Sequence, residues 1–356
     1  MNARIVAVLV VLLVVAGGGA LLLREQGRSQ KPAATGTLGQ PLLKGLKAAD
    51  IVAISIRDSK GALTLQRKDE RWTIAERDGF PADLDKVRDF VLKAIELKIG
   101  QAEPIGEKDR ARLQLDASGA TVAFQGAGGK ALAELVVGKK HFKREPENPA
   151  RALGDGRFVM LPGDVKQAYI VSDPLAQATT QTAEWIAKAG VAAEKVKSLE
   201  VRAADGSGWK IARSGDNADW KLADQRAGEK VDAPRANSAA YTFAILDLAD
   251  VGPKGLAPEK TGLDKPFVAT ATTFDGLTYV LRIGKAEGDN YHATVAIEGV
   301  ARPEGKDAEE RMKKLEERLA RERALVGHTL LIGKPKLEDL FKKRAELLAP
   351  KEDKKK

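Results

Sequence analysis

Residues 51–99 read IVAISIRDSKGALTLQRKDERWTIAERDGFPADLDKVRDFVLKAIELKI, and residues 196–251 read VKSLEVRAADGSGWKIARSGDNADWKLADQRAGEKVDAPRANSAAYTFAILDLADV. Each stretch opens with an alternating strand, turns on polar residues and glycine, and returns as a second alternating strand. Each then reaches a tryptophan, in Trp72-Thr73-Ile74 and in Trp220-Lys221-Leu222, and closes on a segment of helical periodicity. A period of two marks strands with one buried face, and a period near 3.6 marks a helix lying on them. Recurrence of the whole order is the signature of an internal duplication.

The register continues beyond these stretches. Ile56 corresponds to Val201, Leu65 to Ile211, and Leu135-Val136-Val137-Gly138-Lys139 to Leu281-Arg282-Ile283-Gly284-Lys285. Ala168 to Pro174 corresponds to Thr329 to Pro335. Trp72 and Trp220 are the anchors of this alignment, and their placement after a strand turn assigns them to the core. The expected fold class is α+β: an N-terminal transmembrane helix, then two copies of a mostly antiparallel sheet-plus-helix unit. The expected domains are an anchor at 1–24, a linker at 25–49, the repeats at 50–190 and 191–350, and a basic tail at 351–356.

Within the first copy, helices are expected at Leu84–Lys98, with a stripe of Leu84, Val87, Val91, Ala94 and Ile95, and at Ala176–Ala189. The second copy carries an insertion, DAEERMKKLEERLARER, at 307–323. Glu309/Lys313, Glu310/Lys314 and Glu317/Arg321 stand four residues apart, which supports an exposed helix. Met312, Leu315 and Leu319 form a narrow apolar seam, with Val326 one heptad further. Two readings stand: the seam rests on its own domain, or it projects and receives a partner helix, in which case these three residues are the partner-binding site.

Ile5–Leu23 is an uncharged run rich in valine and leucine, preceded by Arg4. At ~1.5 Å per residue it reaches about 28 Å, close to the hydrocarbon thickness of a bilayer. It exceeds a usual signal-peptide core and has no Ala-x-Ala site after it, so it reads as an uncleaved anchor. Charges flanking it nearly balance. Its place ahead of a large polar body sends that body outward, extracytoplasmic or periplasmic. Gln26–Gln40 lacks apolar periodicity and reads as a tether.

Composition narrows the chemistry. The absence of cysteine excludes disulfides, thiolate metal sites, a cysteine nucleophile and a lipid-anchoring cysteine. The net charge of +9 arises from basic and acidic residues interspersed along the chain, a solubility pattern rather than a nucleic-acid footprint. There is no Gly-x-Ser-x-Gly elbow and no His-Glu-x-x-His pair. Gly126–Lys130 lacks the first glycine and the hydroxyl residue of a phosphate loop and reads as a hairpin turn. His292 and His328 sit on strands of the second copy without an identified carboxylate partner, too little for zinc. Asp83 and Asp85 open a helix as caps. Lys139-Lys140-His141-Phe142-Lys143-Arg144 reads as a basic loop, with phospholipid headgroups as the alternative partner. No catalytic, cofactor or metal residue is expected, and the chain is expected not to be an enzyme.

Arg71-Trp72-Thr73-Ile74, then Phe80-Pro81-Ala82-Asp83 leading through Val87 to Leu97, together with Val136-Val137-Gly138-Lys139 and Tyr169-Ile170-Val171, resembles the bacterial domain-of-unknown-function family 4340. The resemblance is good over Ile51–Ile186 and looser in the second copy; the insertion at 307–323 departs from it. It implies a membrane-anchored envelope protein associated with ABC-type export systems and gliding-motility auxiliary subunits, and it transfers no catalytic residue. The expected function is a non-enzymatic extracytoplasmic accessory or scaffold protein with a membrane partner such as an ABC permease. The alternative is an envelope hydrolase or carbohydrate-binding protein with a site between the repeats.

Overall fold

A computed structural model describes residues 38–145, 148–173, 175–187, 190–302 and 308–350. The expected anchor, most of the tether and the basic tail lie outside them. Among the described residues no helix is long and apolar enough to cross a membrane.

The first copy builds a sheet from β1 (Ala53–Asp58), β2 (Gly61–Lys68), β3 (Arg71–Ile74), β4 (Phe80–Pro81), β5 (Ile99–Pro104), β6 (Ala120–Gln125), β7 (Ala131–Glu145), β8 (Asn148–Met160) and β9 (Gln167–Val171). Its strand order is β4-β3-β2-β1-β6-β7-β8-β9-β5. After β10 (Gly190–Val191) the second copy contributes β11 (Val196–Arg202), β12 (Gly208–Ala212), β13 (Lys221–Leu222), β14 (Leu246–Asp247), β15 (Asp250–Val251), β16 (Phe267–Thr273), β17 (Leu277–Glu287), β18 (Asn290–Gly299) and β19 (Leu330–Gly333). Its main sheet runs β13-β12-β11-β16-β17-β18-β19-β15, and β10 pairs separately with β14. Position for position, the two orders are the same, apart from the extra edge strand β4. The fold is α+β, and every strand pair whose register is resolved is antiparallel.

By contact density the chain forms two compact units that do not follow the copies. Among the described residues, one holds 38–51, Ile56–Gly61 and those of 90–178; the other holds Val52–Ser55, Ala62–Asp89 and those from Thr179 onward.

In the second unit the alternation seen in sequence becomes rows of core residues. Leu199 lies opposite Ile211 on one side and Ala271 on the other, and Ala271 lies opposite Tyr279. All four are fully buried. The next row is Trp209, Val201, Ala269, Leu281 and Val295. Burial of such rows is the main favourable term in the fold. In the first unit, Leu113, Leu115, Val136, Met160 and Ala168 form a core cluster, and the rings of Phe90 and Phe124 stack 6.1 Å apart.

Helix α1 (Leu84–Glu96) begins where Asp83 accepts hydrogen bonds from the backbone of Asp85 and Lys86, the expected cap. Its buried stripe is Val87, Phe90, Val91 and Ala94, while Leu84 is exposed. Val87, Val91 and Ala94 of the expected stripe are thus buried and Ile95 half-buried; Leu84 leaves the stripe and Phe90 joins it. The shorter helices are α2 (Glu107–Leu113), α3 (Ala233–Tyr241), α4 (Pro258–Thr261) and, after β19, α6 (Lys334–Leu337); α5 (Ala308–Glu322) is the insertion.

The helix expected at Ala176–Ala189 does not form; only Thr182–Glu184 makes a 3-10 turn. Leu175 takes a left-handed φ of 45°, and the Trp185 indole donates to the Thr179 carbonyl at 3.0 Å. Downstream, the backbone of Trp185–Ala187 exchanges hydrogen bonds with Pro81 and Asp83. Those groups are thereby drawn into pairing beside β4 rather than into a helix.

Gly138 and Gly284, matched in the sequence register, explain themselves. A Cβ at Gly138 would stand 2.3 Å from the Leu113 carbonyl oxygen at the end of α2, and one at Gly284 2.1 Å from that of Thr261 at the end of α4. In both copies a strand crosses a short helix's last turn with no room for a side chain.

Candidate functional site

Helix α3 starts at Asp232, whose carboxylate accepts from the Arg235 backbone at 3.1 Å, with Pro234 in the first turn. Ala236, Ala239 and Ala240 turn inward, which leaves Asn237, Ser238 and Tyr241 to one side of a cleft of about 470 Å³. The opposite wall comes from Lys195, Arg213 and Trp220. Small side chains on the helix make the hollow; larger ones would fill it.

The polar groups of the cleft are fixed in place. The Trp220 ring is buried, and its indole N–H donates to Asn237 Oδ1 at 2.7 Å. The Arg213 guanidinium lies 4.7 Å from the Trp220 ring and 5.8 Å from the Phe274 ring, a cation–π arrangement that shields the charge. Arg213 Nε donates to the Val196 carbonyl and Nη2 to Asp216 Oδ1, each at 2.8 Å. Ser238 donates its hydroxyl to Asp339, which also takes the Lys342 ammonium. Burial raises the Asp339 carboxyl pKa, but these two partners outweigh it and hold the group below its ordinary range. Tyr241, 58% exposed, stands at the rim. The arrangement supplies aromatic surface, oriented amide and hydroxyl groups and a rim cation, Lys195. Such a site binds.

The residues expected from sequence to bind a partner are elsewhere. Leu315 and Leu319 on α5 are buried and Met312 is half-buried; the seam rests on its own unit, and the projecting-arm reading is corrected. Val326 lies past the end of α5 and is 43% exposed. Beneath α5, the buried Glu322 accepts from Tyr279 Oη at 2.9 Å and from the Ala192 backbone at 2.8 Å, with Arg318 Nε 3.4 Å away. Burial, then the Glu322 charge, raises the Tyr279 phenol above its ordinary range. Glu322 belongs to the sequence insertion, but nothing in the charge pattern distinguished it from the solvated glutamates around it.

Trp72, the sequence partner of Trp220, is only half-buried. His141 meets Phe158 edge-on, His292 Nε2 lies 2.8 Å from Glu287, and His328 meets Phe80 edge-on. His292 and His328 thus have different partners. Among the described residues no three His, Asp or Glu side chains converge as metal ligands.

Sequence reasoning did not find Arg213, Asn237 or Tyr241. The tryptophan was visible, but its hydrogen-bond partner lies seventeen positions later on a helix whose rotation the sequence left open. A second missed constellation is Arg77, Thr182 and Asp250. Arg77 Nη2 donates to Thr182 Oγ1 at 2.8 Å, and that hydroxyl donates to Asp250 Oδ2 at 2.7 Å. Beside it Lys254 pairs with Asp78 at 2.7 Å.

Among curated proteins and among solved structures, none matches this chain. The family described as Domain of unknown function (DUF4340) matches residues 72–266, more than half of the chain. The match opens at Trp72 in β3 and closes just before β16, so it takes in the cleft walls from Lys195 to Tyr241. The chain belongs to the DUF4340 family.

Proposed function

We propose that this is a non-enzymatic accessory protein, held in the cytoplasmic membrane by Ile5–Leu23, with its folded body outside the cytoplasm and an ABC-type transporter or another envelope complex as partner. The observation that carries this reading is the uncharged nineteen-residue run at 5–23, followed by a polar tether and then by folded structure. The Trp220–Tyr241 cleft supports it as a contact surface. Its rim cation Lys195 and exposed Tyr241 suit an acidic loop segment of a membrane partner.

The test uses cells carrying the full-length chain with a photo-crosslinker at Tyr241 or at Leu315. External protease is expected to digest the body, and position 241 is expected to crosslink to a transporter permease while the buried position 315 stays silent. Protection of the body from external protease overturns the topology. External exposure with crosslinking only at 315 overturns the choice of surface.

A further inference from the structure

Strand β7 pairs with β6 only as far as Val137, and β8 pairs with β9 only from Arg157 onward. Between those points β7 and β8 pair with each other alone, Phe142 opposite Gly154 and Arg144 opposite Ala152. The segment that reads as a loop in sequence is therefore a two-stranded ribbon running past its sheet neighbours. Its root is pinned. A Cβ at Gly138 would strike the Leu113 carbonyl, one at Gly156 would stand 1.8 Å from the Val171 carbonyl, and Arg157 Nε donates to the Gly138 carbonyl at 2.8 Å.

The ribbon presents cations and an aromatic ring at its surface. Lys140 lies opposite Arg157 in register. Lys139 and Lys140 are exposed, and Phe142, two positions beyond Lys140, is 55% exposed. The counterpart hairpin in the second copy closes at Glu287 opposite Asn290 and is flanked by β19 up to that residue. Its sequence, Lys285-Ala286-Glu287-Gly288-Asp289, has neither the run of cations nor the aromatic residue. The duplication thus supplies its own control: the same root, with the basic aromatic extension on one copy only.

We infer that this ribbon docks on anionic phospholipid, Lys139 and Lys140 taking the headgroup phosphates and Phe142 entering the boundary with the acyl chains. Cations beside one exposed aromatic ring match that boundary, where negative charge overlies hydrocarbon. This goes beyond the anchor reading, since the contact belongs to the folded body.

The chain contains no cysteine, so Phe142→Cys carries a nitrobenzoxadiazole label alone, an apolar ring in place of the phenyl. The full-length protein is reconstituted into phosphatidylcholine bilayers with and without phosphatidylglycerol, with Lys285→Cys as the control. The expected result is a blue-shifted emission at 142, quenched by spin-labelled acyl chains, in the anionic bilayers only and reversed by high salt. Lys139→Ala with Lys140→Ala should lower the docked-to-undocked ratio about thirtyfold, from about fivefold per lysine. Equal emission at 142 and 285, or a blue shift indifferent to phosphatidylglycerol, overturns the inference. If the anchor reading fails instead, the chain does not stay with phosphatidylcholine vesicles at all, and flotation with phosphatidylglycerol vesicles, weakened by the lysine pair of substitutions, still reads the ribbon.

Discussion

Glu229 accepts a hydrogen bond from Arg344 Nη2 at 2.7 Å and another from the Arg226 backbone at 2.9 Å. Together they bring its carboxyl to about 2. A carboxyl depressed in the folded state supports that state above the unfolded value, about 4.3, and withdraws the support as pH falls toward 2. Arg344→Ala should raise the Glu229 carboxyl toward its unfolded value in a carboxyl-carbon NMR titration without reaching it, because the Arg226 backbone bond remains, and should lessen the loss of stability across that acid window. Glu322, by contrast with the surface pair at Glu229, is only 1% exposed. Its removal strands the Arg318 charge and the Tyr279 hydroxyl. Glu322→Ala should cost about 3–5 kcal/mol in urea unfolding, and Tyr279→Phe only about 1–2 kcal/mol. A cost for Glu322→Ala below that of Tyr279→Phe would show that Arg318 finds water in the variant.

At the level of elements, α5 was legible in sequence as a helix, because its charges stand four apart and its leucines fall on one stripe; Glu310 and Lys314 close their pair at 2.6 Å. What the stripe touches was not legible. Periodicity fixes which residues share a face, while the surface that covers the face comes from strands far away in the chain. Leu315→Ala and Leu319→Ala should each cost about 2–5 kcal/mol, against less than about 0.5 kcal/mol for Val326→Ala on the exposed side. The segment at Ala176–Ala189 failed for the converse reason. Its alanines favour a helix locally, but pairing with Pro81 and Asp83 and the Trp185 indole bond decide its path. The cleft was half legible: Trp220 announced itself by recurrence, whereas Asn237 and Tyr241 depend on the rotation of α3. Gly138 and Gly284 were visible as a shared Val-Gly-Lys and Ile-Gly-Lys, and only the structure supplies the carbonyls that demand them.

Over the whole molecule, strand order repeats from one sheet to the other, while the compact units cut across the copies. Residues 62–89 of the first copy fold with the second, and Arg77, Thr182 and Asp250 are joined by hydrogen bonds within that unit. A fragment of residues 191–356 therefore lacks Arg77 and Thr182, the side-chain partners of Asp250, and Asp78, the partner of Lys254. It is expected to unfold at lower urea than the same sheet in the full chain, with weaker amide protection in β15 and β19 by hydrogen exchange. Equal midpoints and equal protection would mean that the second copy is self-sufficient.

That sharing bears on inheritance. A gene lengthened by tandem duplication keeps the freedom to lose or multiply a copy only while each copy folds by itself. Here a recombination breakpoint near residue 190 would divide a folded body instead of passing between two. With Arg77 placed beside Asp250, neither copy is an interchangeable part.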